Sequence, residues 1–190
     1  MNHRAFTVSP IAWAIGLVVI GIGLRIARHF GVIDLPPNVS PVSALAMFSG
    51  TVLPRRYAFV VPLGLMLASD IVIGFYELPV MMAVYGCFAL SNLIGFWLRH
   101  RRNIRRTIAA ALAGSTVFFL ITNAAVWIFQ AMYPHTLAGL GQAYGAGLPF
   151  FRNTVAGDLS YTAVFFGLYH LIVVYSKQRI PLVSKSTIDG

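Results

Sequence analysis

Charged side chains are scarce in this sequence. They make up only 10% of its 190 residues, against about 25% in an ordinary soluble domain. Acidic residues are the scarcest, with five Asp and Glu against fourteen Lys and Arg. With 58% hydrophobic residues and a mean hydropathy of +0.77, the composition is that of a membrane protein. Cysteine is reduced to a single residue, Cys87, which excludes an intramolecular disulfide and a Cys-rich zinc site. No G-x-x-x-x-G-K-[ST] stretch is present, so ATP hydrolysis by a P-loop is excluded. A Ser/His/Asp arrangement is not evident, and there is no internal repeat or low-complexity tract.

What the chain does have is long apolar runs. At about 20 apolar residues per crossing, the length predicts a single integral membrane domain, 1–190, with six transmembrane helices. The runs fall at about 8–27, 42–53, 57–76, 80–98, 107–130 and 154–175. The first carries Arg4 before it and resembles a signal peptide, but no small-x-small cleavage site follows, and it reads as a retained helix. The prolines of Asp34-Leu-Pro-Pro-Asn-Val-Ser-Pro41 predict a rigid, extended loop. The second helix is short for a crossing, so protein or the proline loop is expected to shelter it. The segment from Met132 to Asn153 is rich in Gly, Pro and aromatics and too apolar for a solvated loop. A short helix or lid that packs back is expected there.

Six crossings place both termini and two basic loops on one side. That side carries eleven of the fourteen Lys and Arg, including the run Arg99 to Arg106, and the positive-inside rule makes it cytoplasmic. The basic run therefore reads as an anchor on anionic lipid. It lacks interleaved aromatics, so no nucleic-acid partner is expected.

The polar residues then converge in the outer half of the bundle. Asp70 falls about 9 Å, and Cys87 roughly 10 Å, below the outer face at 1.5 Å per residue. Asn123 lies at a similar depth, and Asn38 sits on the outer loop. A carboxylate at membrane depth faces the bundle interior or a watery cavity and needs a partner, so Asp70 is either a structural hydrogen-bonding residue, with Asn92 or a hydroxyl opposite, or part of a pocket wall. Asp158 is expected in an ion pair with Arg152. Tyr85 and Cys87, two residues apart, point about 200° apart around their helix. The lone thiol has three readings: packing filler, nucleophile or soft metal ligand. No histidine lies at matching depth to serve as a base, whereas a metal carried in by a ligand would lower the thiol pKa itself.

Six ordered stretches carry a family resemblance. They are Pro36-Pro-Asn-Val-Ser-Pro-Val-Ser-Ala-Leu-Ala-Met-Phe-Ser-Gly50, Pro62-Leu-x-x-Met-Leu-x-Ser-Asp70, Val84-Tyr-Gly-Cys-Phe-Ala-Leu90, Phe119-Leu-Ile-Thr-Asn-Ala-Ala-Val-Trp127, Tyr133-Pro-x-Thr-Leu-Ala-Gly-Leu140 and Pro149-Phe-Phe-Arg-Asn-Thr-x-x-Gly-Asp158. Over about Arg25 to Tyr169 they resemble the S components of energy-coupling-factor vitamin transporters, small six-helix membrane proteins. The cysteine in Val-Tyr-Gly-Cys-Phe resembles the BtuM-type subgroup, solitary S-component-like proteins of the bacterial inner membrane that take up cobalamin (vitamin B12). The resemblance implies that Cys87 ligates the corrin cobalt, with thiol-dependent decyanation as an accompanying activity. It implies Asp70, Tyr85 and Asn38 as further cobalamin-binding residues in or beside the corrin pocket, and transport either with an energising module as a partner or without one. The Ala-x-x-x-Ala docking face of such proteins is matched on helix 1 only by Ala12-Trp-Ala-Ile-Gly16, a general small-x-x-x-small pattern. Two alternatives accompany this expectation: transport of another vitamin with Cys87 structural, and a membrane enzyme that remodels corrinoid ligands.

Overall fold

The computed structural model describes residues 10–178, and every described element is an α-helix. They are α1 (Pro10–His29), α2 (Val42–Val52), α3 (Arg55–Ala58), α4 (Val60–Ile73), α5 (Leu78–Arg99), α6 (Ile104–Phe129) and α7 (Leu137–Gln178). Phe59 keeps helical dihedrals, so α3 and α4 run on as one apolar stretch and the described residues form six helical bodies. Four of these are long and apolar enough to cross a membrane: Arg55–Ile73, Leu78–Arg99, Ile104–Phe129 and Leu137–Val174. Arg4, Arg179, Lys185 and both termini lie outside the described residues.

The shortest body is the centre of the bundle. Nine of the eleven residues of α2 are buried, under α5, α7, α4 and α1. At 1.5 Å per residue it is only about 16 Å long, and being enclosed by protein, it need not span lipid. Its close approach to α5 depends on paired glycines. A Cβ on Gly50 would sit 2.2 Å from the Asn92 carbonyl oxygen, and one on Gly95 would sit 2.2 Å from that of Met47. The Thr51 hydroxyl donates to the Gly95 carbonyl at 3.1 Å.

Orphan backbone groups around α2 are taken up by side chains of α5. Arg99 donates from Nε and Nη2 to the Gly50 carbonyl, at 3.1 and 2.6 Å, and from Nη2 to that of Leu53 at 2.5 Å. This satisfies carbonyls at the C-terminal end of α2 and sets a cation against its negative pole. Asn92 donates to the carbonyls of Ala46, at 3.2 Å, and Ala58, fixing α5 to both α2 and α3.

The largest departure from the sequence expectation is in α7. The stretch to Asn153 is neither a loop nor a separate lid: the helix begins at Leu137 and continues through Pro149 for 42 residues. Proline removes one i→i−4 bond and crowds the preceding turn, but membrane helices tolerate such interruptions where neighbouring helices and polar side chains re-satisfy the freed backbone groups. The neighbour here is α6, against which α7 packs along its length. Gly147 is part of that fit, since a Cβ there would come within 2.5 Å of Asn123 Oδ1. Of the glycines that read as loop signals, Gly139 and Gly147 are close-packed, whereas Gly141 and Gly145 face open space.

Candidate cavity site

A cavity of about 480 Å³ opens where the end of α1, the 35–41 segment, α4, α5 and α7 meet. The segment enters the bundle through a turn. Val39 N donates to the Pro36 carbonyl at 3.1 Å, and Asn38 takes φ 65°. Proline at the second and Asn in the left-handed region at the third position is the pattern of a type II turn. Gly157 of α7 then packs on Val39, with room for only a tight contact (3.3 Å) if it bore a Cβ.

Asn38 lines this cavity, as do Val84 and Phe88 of α5. Asp70 does not line it but closes an adjacent network. Its Oδ1 pairs with Arg25 Nη2 at 2.5 Å, and its Oδ2 accepts from the Tyr85 hydroxyl at 2.8 Å. The carboxylate is 1% exposed, so one ion pair and one hydrogen bond meet the need that burial creates. Its partners are therefore Arg25 and Tyr85. Asn92, one of the groups expected opposite it, is committed to α2 and α3. Tyr76, in the connection between α4 and α5, has its hydroxyl pKa pushed up to about 12, chiefly by burial and then by Asp70, with Arg25 opposing.

Cys87 is buried at 1% exposure and is not among the cavity-lining residues. Its place on α5 is nonetheless on the inward stripe. At 100° per residue it lies within about 60° of Val84, which lines the cavity, and about 40° of Ser91, which lines a narrow hollow below. Ser91 donates its hydroxyl to the Cys87 carbonyl at 3.0 Å. Tyr85 faces α4 through Asp70, so the two residues divide as their angular separation requires. Among the described residues, no group of three or more His, Cys, Asp or Glu could hold a metal ion unaided.

Asp158 departs from expectation. Arg152 is exposed and makes no ion pair with it; instead Ser115 donates to Asp158 Oδ2 at 2.6 Å, and Ser43 is a second hydroxyl partner. The physical reason is direction: six residues separate Arg152 from Asp158, about 240° around a helix, so they face different sides. Asp158 is 3% exposed and reaches both the cavity and the hollow below it. Arg25 and Arg28 also line the cavity and were not read from the sequence as site residues. A signal for them existed: with Arg152 they are the three cations left off the basic side.

Residues 7–182 match the model of one family, described as a family of unknown function (DUF6580). The chain belongs to this family. No curated protein and no solved structure matches it. In this DUF6580 chain the matched region takes in every residue of the cavity and the whole of the Arg25–Asp70–Tyr85 network.

Proposed function

We propose that this DUF6580 protein is a transport component of S-component-like design that captures cobalamin at the outer face of the bacterial inner membrane and carries it inward. In this reading the chain makes six passes with both termini cytoplasmic, α2 being the short, protein-enclosed one. One observation carries the proposal. The stretches 36–50, 62–70, 84–90 and 149–158, which carry the resemblance, all contribute to the same cavity, and 119–127 lines a second hollow that shares Asn38, Phe118 and Thr154 with it. Residues far apart in sequence that converge on one concave site are the usual mark of ligand recognition.

Cys87 supplies the chemistry in this proposal. It lies on the same helix as Val84 and Phe88, which line the cavity, but is itself buried, so a rearrangement around it is needed to bring sulfur to the corrin cobalt. Ligation is balanced without a redox partner: the thiol gives up its proton, sulfur donates its electron pair to cobalt(III), and the displaced cyanide leaves with a proton. Transport proceeds with an energising module or without one.

A second reading has its own support. The cavity volume sits within the range of about 300–1,000 Å³ for ordinary small-molecule sites, and the thiol is buried. Both fit another, smaller vitamin with Cys87 structural. Uptake of labelled cobalamin by bacteria lacking their own uptake route separates these readings. The proposal expects accumulation with the wild-type chain and a marked loss with Cys87→Ala. Accumulation unaltered by Cys87→Ala removes the cobalt ligation. Cyanide release by purified protein without any cellular accumulation supports a corrinoid-remodelling enzyme instead.

A further inference from the structure

Arg28 and Asp158, which line the cavity outside the Asp70 network, lie on different elements and have no ionic partners among the described residues. Arg28, on the last turn of α1, makes one hydrogen bond, from Nη1 to the Val39 carbonyl at 3.3 Å. Among the described residues no carboxylate lies within ion-pair distance of it. A guanidinium carries five N–H donors, so most of its donors remain for something else. Arg25, three residues earlier, has its charge paired with Asp70, while its buried Nε–H has no partner among the described residues. Across the cavity Asp158 is held by hydroxyls alone, with no cation within ion-pair distance among the described residues. Arg28 and Asp158 line the same space.

The two groups that would satisfy each other are thus kept on separate walls of the cavity. Asp158 is buried without a cation, which is unfavourable for its charged form, and Arg28, partly exposed in the cavity wall, keeps most of its donors free; a ligand that bridges them explains both. The geometry points to a bipolar recognition site: Arg28 binds an acidic group of the solute, a phosphate or carboxylate, while Asp158, with Ser43 and Thr154 beside it, takes N–H or O–H donors of the same molecule. The solute class is therefore a molecule that carries an anionic group together with amide or amine donors. A neutral or purely apolar vitamin is excluded. This inference rests on the cavity being the solute site, and it deepens that reading; cobalamin, with one phosphodiester and several amides, belongs to the class.

Two probes test it on the full-length purified protein. The first is the pair cyanocobalamin and cobinamide, the latter lacking the phosphodiester. Arg28→Gln should weaken cyanocobalamin binding about tenfold or more, as expected for loss of a charge-assisted hydrogen bond, and leave cobinamide binding within about twofold, a change worth less than 0.5 kcal/mol. Arg28→Lys, which keeps the charge, should recover part of the loss. Asp158→Asn should weaken both corrinoids. Equal loss of both in Arg28→Gln overturns the assignment of the acidic group. The second probe is inorganic phosphate, read as a thermal shift against chloride at equal ionic strength. Wild type and Arg28→Lys should be stabilised, and Arg28→Gln should not. Equal shifts in wild type and Arg28→Gln overturn the site. If wild type binds neither corrinoid, cobalamin is lost as the solute, and the phosphate arm alone decides the bipolar site.

Discussion

At the residue scale, the structure turns on how few charges are buried and how each is met. Arg25, Asp70 and Tyr85 join three helices through one carboxylate. A buried pair of this kind contributes little net stability, but loss of one partner leaves the other uncompensated, at a cost of about 3–5 kcal/mol. Arg25→Met should therefore be strongly destabilising, while the double variant Arg25→Met, Asp70→Leu should recover much of the loss. Thermal unfolding of the detergent-purified proteins measures both, and a double variant no better than the single one contradicts the pairing. Tyr85→Phe removes only the hydroxyl donor to the buried carboxylate and should cost about 1.5–3 kcal/mol by the same measurement.

Tyr76 gives a pH dependence of definite sign. Its hydroxyl is raised from 10.0 to about 12 in the folded protein. The folded state thus holds that proton more tightly, and the associated stability is fully present below pH 10.0 and is lost as pH rises towards about 12. Tyr76→Phe should flatten this part of an unfolding-midpoint series; an unaltered slope contradicts the assignment. That Asp70 needs a partner was legible in the sequence, because a carboxylate in an apolar helix has few alternatives. Which partner it takes was not, because Arg25 is 45 residues away and reads locally as the flank of helix 1.

At the scale of elements, the apolar runs marked five of the six helical bodies to within a few residues, because length and hydropathy decide a membrane helix. The sixth was misread at its start. Gly139, Gly141, Gly145, Gly147 and Pro149 are turn formers in water, yet they form α7 here, with Gly147 packed on Asn123 of α6. Local propensity was overridden by packing. The α2–α5 crossing should be equally intolerant of added bulk. Gly95→Ala places a methyl group 2.2 Å from a backbone oxygen, which no side-chain motion relieves, and should destabilise by about 1–3 kcal/mol, as overpacking does. Arg99→Gln leaves the Gly50 and Leu53 carbonyls without their charged donor, with an expected loss of about 1.5–3 kcal/mol. Unfolding midpoints within error of wild type for either variant contradict the account of how α2 is held.

At the scale of the molecule, the chain is built around a short, protein-enclosed helix, with a cavity beside its N-terminal end. Asn38 was legible in the sequence as part of the proline-rich segment between two helices, and there it lines the cavity. The cavity itself was not, because it is assembled from the ends of α1 and α4, one turn, and the faces of α5 and α7, which no single stretch reveals. Nor did spacing alone reveal that Cys87 is buried and does not line the cavity: it gives the angle around α5 but not the packing over it.

The absorption spectrum of the protein purified in the presence of cobalamin tests the central claim most directly, with wild type and Cys87→Ala compared side by side. The account predicts a bound corrinoid whose spectrum is shifted by thiolate ligation in wild type and reverts in Cys87→Ala. A colourless wild-type protein with no affinity for cobalamin would contradict it.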